Sequence, residues 1–242
     1  MLRLLGWHTT VGHLGLRMLL LHLNWIGHTL AGGVVLGVFP ATAAVFAIAR
    51  GDIAKAADGG RLRSEFTRHW RREFVGANVL GYLFTAGWVL LWLDRRLLAT
   101  FDVGAAGPAL SVLLGALTVL WFVMTASVGV FAAHFAEGPL RVLRRTAVFL
   151  LARPIQAVIN AVAVGVICCV YYLVPGLVPV FGVVAPAYLA FAYLWSTGIL
   201  PPVPGSDAVA GRAEGTAAGG TAASASARVP ASARSEREYE PA

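Results

Sequence analysis

Charged side chains are scarce in this 242-residue chain: 13% of its residues are Asp, Glu, Lys or Arg, whereas 58% are hydrophobic. Soluble domains typically carry about 25% charged residues, and the mean hydropathy here is +0.73. The composition therefore excludes an ordinary soluble domain and predicts an integral membrane protein. We predict an all-α fold, because lipid admits only helices and closed barrels, and the apolar runs lack the alternation of barrel strands.

Catalytic and metal-binding patterns are also lacking. The sequence contains no pair of carboxylates within an apolar run, no His-Glu-x-x-His, no Gly-x-Ser-x-Gly and no phosphate loop. The two cysteines, Cys168 and Cys169, are adjacent, so they cannot easily form a disulfide within a helix, and no metal-ligand spacing surrounds them. We predict no enzymatic activity, no catalytic residue, no metal site and no cofactor.

Long apolar runs are what the chain does have. A helix needs about 20 residues to cross a hydrocarbon core of about 30 Å. The runs that qualify lie near residues 18–39, 74–93, 108–133, 146–173 and 177–195. They predict a polytopic bundle of about five transmembrane helices. Pro40 is expected to break the first run and to leave residues 41–49 as a short helix near the membrane surface.

Composition also divides the chain into segments. We predict an N-terminal segment at residues 1–17 and a transmembrane domain at residues 18–198. From Pro201 onward Ala, Gly, Ser, Pro and Thr dominate. Such a composition cannot bury a core, so residues 199–242 are expected to form a disordered cytoplasmic tail.

The arginines predict the orientation. Seven basic residues lie between Arg50 and Arg72, and three more precede the fourth run, whereas the other side has only four. The positive-inside rule therefore predicts a cell-membrane protein with its N-terminus outside and its C-terminus in the cytoplasm. Arg17, directly before an apolar run, favours the opposite orientation. Attraction to anionic lipid explains the net charge of +7, so no nucleic-acid partner is predicted.

One segment of the basic loop has a helical pattern. Leu62, Phe66 and Trp70 recur every four residues, while most arginines, including Arg71 and Arg72, fall elsewhere around the helix. This pattern predicts an amphipathic cytoplasmic helix that lies in the membrane interface with its aromatic side buried. The alternative is a docking surface for a partner, and one helix could serve both roles.

Polar residues within the runs mark contacts between helices or a cavity. Asn24 and His28 share a helix face and are expected to form interhelical hydrogen bonds. Arg153, Gln156 and Asn160 form a second polar stripe. In one interpretation Arg153 extends to the headgroups and the other two bond to neighbouring helices. In the other, the stripe is the wall of a polar cavity open to the cytoplasm.

Several short motifs resemble a known family. They are Asn24-Trp25, the stretch from Phe39 through Pro40, Ala41 and Thr42 to Ala44, Glu65-Phe66, and the stretch from Trp70 to Phe74. Together they are similar to the YesL-like membrane family, the domain of unknown function numbered 624, over roughly residues 18–195. Phe39 stands where that family usually has glycine. The resemblance implies a multi-pass bacterial protein, often encoded near sugar ABC transporters, with no established activity.

The functional interpretation follows from these features. We expect an accessory or regulatory component associated with a membrane transport system, with carbohydrate uptake as the system that the resemblance implies. The alternative is a small oligomeric transporter or channel in its own right. The expected partners are the lipid bilayer and either permease subunits or further copies of this chain.

Overall fold

The computed structural model describes residues 2–54, 61–135 and 137–201. The predicted tail lies almost entirely outside these residues, as does the part of the basic loop around Lys55. The described residues form nine α-helices and two single-turn 3-10 helices, at Gly104–Ala106 and Pro175–Leu177. The helices are α1 (Leu2–Ala31), α2 (Val38–Ile53), α3 (Leu62–Arg72), α4 (Phe74–Thr100), α5 (Gly107–His134), α6 (Pro139–Ala152), α7 (Pro154–Leu173), α8 (Val178–Phe181) and α9 (Val184–Ser196). The predicted all-α bundle is confirmed.

Fewer helices are suited to crossing a membrane than the five predicted. Among the described residues, three segments are long and apolar enough: Phe74–Thr100, Gly104–His134 and Pro154–Leu173. A fourth is reached if the segments Pro175–Phe181 and Val184–Ser196, which meet at an angle of 72°, count as one span. Apolar residues cover much of the outer surface; Val75 is 74% exposed and Tyr172 is 88% exposed. Such a surface is suited to lipid, and the chain is a membrane protein.

The first apolar run is broken earlier than predicted. Helix α1 ends at Ala31, and a turn over residues 32–37 leads into α2, so Pro40 is the third residue of a helix and does not end one. A proline in the first turn costs no hydrogen bond, because the amides there have no partner within the helix. Glycine is therefore the breaker: Gly32, Gly33 and Gly37 all lie in the turn.

Helix α2, which contains residues 41–49, lies at the centre of the packing. The predicted position of these residues near the membrane surface stays a prediction. Helices α1, α3, α4, α5 and α9 all pack against it. Its enclosed side is made of small or branched residues that are at most 1% exposed: Ala41, Ala44, Val45, Ile48 and Ala49. Small side chains let neighbouring helices approach closely, which explains why five helices fit around one.

The last two predicted spans are also interrupted. Residues 146–173 divide into α6 and α7 at Arg153, whose backbone angles (φ −137°, ψ 58°) are not helical. Pro154 accounts for this, since the residue before a proline is driven out of the helical region. The segment 177–195 bends at Gly182, where φ is +29°. Any other residue type there would be strained.

Candidate functional site

The motif residues that resemble the family meet in space. The Trp25 indole Nε1 donates a hydrogen bond to Thr42 Oγ1 at 3.1 Å, and Thr42 Oγ1 donates to the Val38 carbonyl at 2.8 Å. Pro40 and Ala41 beside them are buried. These residues fix the start of α2 against α1, which is a structural task.

The turn before α2 is held from two sides. Gly32 and Gly37 approach so closely that a β-carbon on Gly32 would lie 2.4 Å from the Gly37 α-carbon. From α4, the Asn78 side chain donates to the Leu36 carbonyl at 3.0 Å, and the Tyr82 hydroxyl donates to the Val35 carbonyl at 2.9 Å. The position of α2 therefore depends on α1 and α4 together.

The two polar residues predicted to join helices behave differently. Asn24 Nδ2 donates to the Leu20 carbonyl of its own helix at 2.8 Å. No hydrogen bond from its side chain to another helix is found within the described part of the chain. His28 Nε2 lies 2.9 Å from Thr67 Oγ1 of α3, while Nδ1 lies 2.9 Å from the Asn24 carbonyl oxygen. His28 thus links α1 to α3.

The aromatic side of α3 is buried in protein. Phe66 is 0% exposed and lies in a cluster with residues of α1 and α2. The His28 ring centroid is 4.7 Å from that of Phe66 and 5.6 Å from that of Trp70. Leu62 packs against the same cluster. Periodicity identified the apolar side of α3, and at Phe66 protein covers that side. The predicted position of the helix in the membrane interface stays a prediction.

The opposite side of α3 is strongly basic. Five arginines and two hydroxyl residues surround a shallow concavity: Arg61, Arg63, Ser64, Thr67, Arg68, Arg71 and Arg72. Most of these residues are exposed, Arg63 and Arg71 among them. Because the aromatic side is fixed on α1 and α2, the basic side is presented to the surroundings at a fixed angle.

A charged cluster that the sequence did not indicate joins three helices. The Arg17 guanidinium donates to both carboxylate oxygens of Asp52, with Nε 2.8 Å from Oδ2, and the Tyr188 hydroxyl donates to the same carboxylate. The hydrogen bond that Arg17 donates to Asp52 raises the pKa of Arg17, so this guanidinium stays charged. The partners lie 35 and 136 residues apart in the sequence, so no local pattern could reveal them. The cluster ties α1, α2 and α9 together.

The polar stripe of the fourth run does not form one environment. Arg153 is exposed and Gln156 is half-buried, whereas Asn160 is 0% exposed. Asn160 Nδ2 donates to the Ala126 carbonyl and to Ser127 Oγ, both at 3.2 Å, and so connects α7 to α5. None of the three residues lines the cavity described next.

A cavity of about 350 Å³ lies between α2, α4 and α5. Its walls are mostly apolar, and its polar groups are concentrated where α2 ends and α4 begins. Lining residues from α2 include Thr42, Ala43, Phe46, Ala47 and Arg50; those from α4 include Gly76, Leu80, Gly81, Phe84 and Trp88; those from α5 include Thr125 and Gly129. Arg72, Glu73 and Glu137 complete the polar end. A mostly apolar pocket with a few convergent polar groups is typical of a small-molecule site.

Metal ligands do not converge in the described part of the chain: no group of three His, Cys, Asp or Glu side chains there could hold an ion. The two cysteines are free and exposed on α7.

The comparisons with known proteins agree with the motifs. The family model described as "Protein of unknown function, DUF624" matches residues 18–95. The uncharacterized protein YesL of Bacillus subtilis (strain 168) is 30% identical over 158 residues, which cover 65% of this chain and 73% of that protein. No solved structure matches.

Proposed function

Since the chain belongs to the DUF624 family, we propose that it is not an enzyme but an accessory or regulatory component of a membrane transport system, which it contacts through α3. The family resemblance implies carbohydrate uptake as the system concerned. The observation that carries the proposal is the division of α3 into a protein-covered aromatic side and an exposed basic side.

The burial of Phe66 favours docking over anchoring. A helix that anchors a loop to the bilayer inserts its apolar side among the lipids, but this side of α3 contacts α1 and α2. The side of α3 that faces the surroundings is therefore the positively charged one. An arginine guanidinium can donate two hydrogen bonds to one carboxylate. The matching partner surface is therefore acidic, such as an acidic loop of a permease subunit.

The proposal includes the orientation of the chain in the cell membrane, with the N-terminus outside, the C-terminus cytoplasmic and α3 on the cytoplasmic side. Helix α4 separates α3 from the loop near Gly104, and its 27 residues extend about 40 Å. The two ends of α4 therefore lie on opposite sides of the bilayer.

Cysteine labelling tests this orientation. In a background with Cys168→Ala and Cys169→Ala, an Ala105→Cys protein in intact cells should react with a membrane-impermeant thiol reagent. A Ser64→Cys protein should react only after the cells are opened. Both positions are exposed, so access to solvent within the protein is matched. Reaction at Ser64 in intact cells would show the reverse orientation.

Charge reversal tests the docking face. We expect Arg63→Glu combined with Arg71→Glu to reduce the amount of transport-system subunit that co-purifies in mild detergent by about tenfold, because like charges would then face each other across the contact. Arg95→Glu combined with Arg96→Glu, at the other end of α4, is the control and should leave recovery unchanged. Equal recovery with both double variants would contradict the proposal, and recovery of further copies of this chain alone would favour the oligomeric transporter or channel.

A further inference from the structure

The cavity between α2, α4 and α5 extends along its helices. One side of α2 is buried against neighbouring helices. The residues of its other side line the cavity: Thr42, Ala43, Phe46, Ala47 and Arg50. Along α4 the wall runs from Gly76 to Trp88, a rise of about 18 Å. A volume of about 350 Å³ extended over that length suits a flexible chain better than a compact molecule.

The walls of the cavity favour an apolar ligand group. Phe46 and Phe84 contribute ring surface, and Gly81 and Gly129 lie against the rings of Phe39 and Phe46. Gly76 has no atom within 4 Å of where a β-carbon would stand. Thr85 also lines the cavity and is exposed, so the space is open to the surroundings beside α4. A chain from the bilayer can therefore enter without unfolding the bundle.

One end of the cavity carries a cation, Arg50, for which no ion pair is found among the described residues, although Glu73 and Glu137 line the same end. Arg50 is half-buried, and its only hydrogen bond among the described residues is a long one, 3.4 Å, to the His134 carbonyl oxygen. Within the described ranges no carboxylate lies within 4.0 Å of it: Glu137 is paired with Arg145, and Glu73 lies beside Arg72 at 3.5 Å. Burial lowers the pKa of Arg50, the nearby Arg72 lowers it further, and the nearby Glu73 acts in the opposite direction. A half-buried cation with a second cation beside it attracts an anion.

We propose that this cavity binds one anionic phospholipid of the surrounding bilayer, with its phosphate at Arg50 and Arg72 and one acyl chain along α4. Arginine suits the head, since its planar fork donates two hydrogen bonds to phosphate oxygens. The apolar wall suits the chain, whose burial is favourable for each methylene group removed from polar surroundings. Neither half of the site would select this ligand alone. The site shares Arg72 with the basic side of α3 but does not include Arg63 or Arg71, which the docking variants change. Its failure and the failure of the docking role are therefore distinguishable.

Native mass spectrometry of the full chain in mild detergent tests the site. Phosphatidylglycerol and phosphatidylcholine with identical acyl chains are supplied in turn. We expect one phosphatidylglycerol to be retained about tenfold better than phosphatidylcholine, a difference of about 1.4 kcal/mol. Both lipids offer the same phosphate to the arginines, but phosphatidylcholine would also place its cationic choline group next to them. Excess inorganic phosphate should not displace the lipid, because the chain contributes to binding.

Variants separate the head from the chain. Arg50→Gln should abolish the preference for phosphatidylglycerol, Arg50→Lys should retain part of it, and Arg141→Gln, an exposed arginine on α6, should have no effect. Gly76→Leu should remove retention of both lipids, whereas Gly115→Leu, where a β-carbon also meets open space, should not. The thermal unfolding midpoint of each variant shows that the fold is kept. Equal retention of the two lipids by the unaltered chain, full retention by Gly76→Leu, or displacement by phosphate would each overturn the proposal.

Discussion

Gly37→Ala is expected to destabilise the protein by about 3 kcal/mol, at the upper end of the cost of overpacking. A β-carbon at Gly37 would lie 2.3 Å from the Thr29 carbonyl oxygen and 2.9 Å from two other backbone atoms of Thr29. Backbone atoms cannot rotate away as a side chain can, so α1 and α2 would have to separate. The turn over residues 32–37 positions α2, and α2 contacts five other helices, so the damage would spread. A thermal unfolding midpoint measured in detergent reports the change.

Gly27→Ala is the matched control for that prediction. Gly27 lies within α1, and a β-carbon there meets nothing within 4 Å. Removing a glycine from a helix interior is expected to stabilise it by about 0.5 kcal/mol. The same chemical change should therefore have opposite signs at two positions only ten residues apart. A stabilised Gly37→Ala protein would mean that α1 and α2 do not approach each other as described.

Phe66→Ala should cost about 3–5 kcal/mol, the usual range for truncating a buried phenylalanine. Phe66 is 0% exposed, and it contacts the His28 ring that links α1 to α3. Loss of the ring should release α3 and make the segment from Arg61 to Arg72 sensitive to protease, while the apolar helices stay inserted. Limited proteolysis together with the unfolding midpoint measures both effects.

Leu140→Ala is the comparison for Phe66→Ala. Leu140 is 75% exposed, so its truncation should change stability by less than about 0.5 kcal/mol. A lipid-inserted aromatic side on α3 would give a different result: Phe66→Ala would weaken the contact of the helix with liposomes and leave the unfolding midpoint of the detergent-solubilised protein unchanged.

The sequence predicted those parts of the fold that depend on local composition. Apolar runs of sufficient length identified α4, α5 and α7, because a membrane helix must be apolar along its whole length. The four-residue recurrence of Leu62, Phe66 and Trp70 identified α3, since a helix brings such residues to one side. The break at Arg153 also has a local cause in the sequence, because Pro154 disfavours a helical conformation of the residue before it.

Features that depend on partners distant in the sequence could not be predicted from it. No local pattern marks Asp52, and only the folded chain shows that Arg17 and Tyr188 bind it. The sequence also does not show what surrounds each small residue of α2. Ala44 is enclosed by neighbouring helices, whereas Ala43 faces the cavity. The same alanine can allow close packing or leave a space, and the choice depends on which helix lies opposite. Hydrophobicity likewise shows that a side of α3 is covered but not whether lipid or protein covers it.

Photo-crosslinking in living cells tests the central claim, that α3 presents a basic docking face to a transport system. A photo-reactive amino acid replaces Arg71 on the exposed side of α3, and a matched one replaces Arg96 near the other end of α4. We predict that position 71 yields a covalent adduct with a subunit of a membrane transport system, identified by mass spectrometry of the adduct, and that position 96 does not. Adducts at position 71 that contain only lipid, or only a second copy of this chain, would contradict the claim.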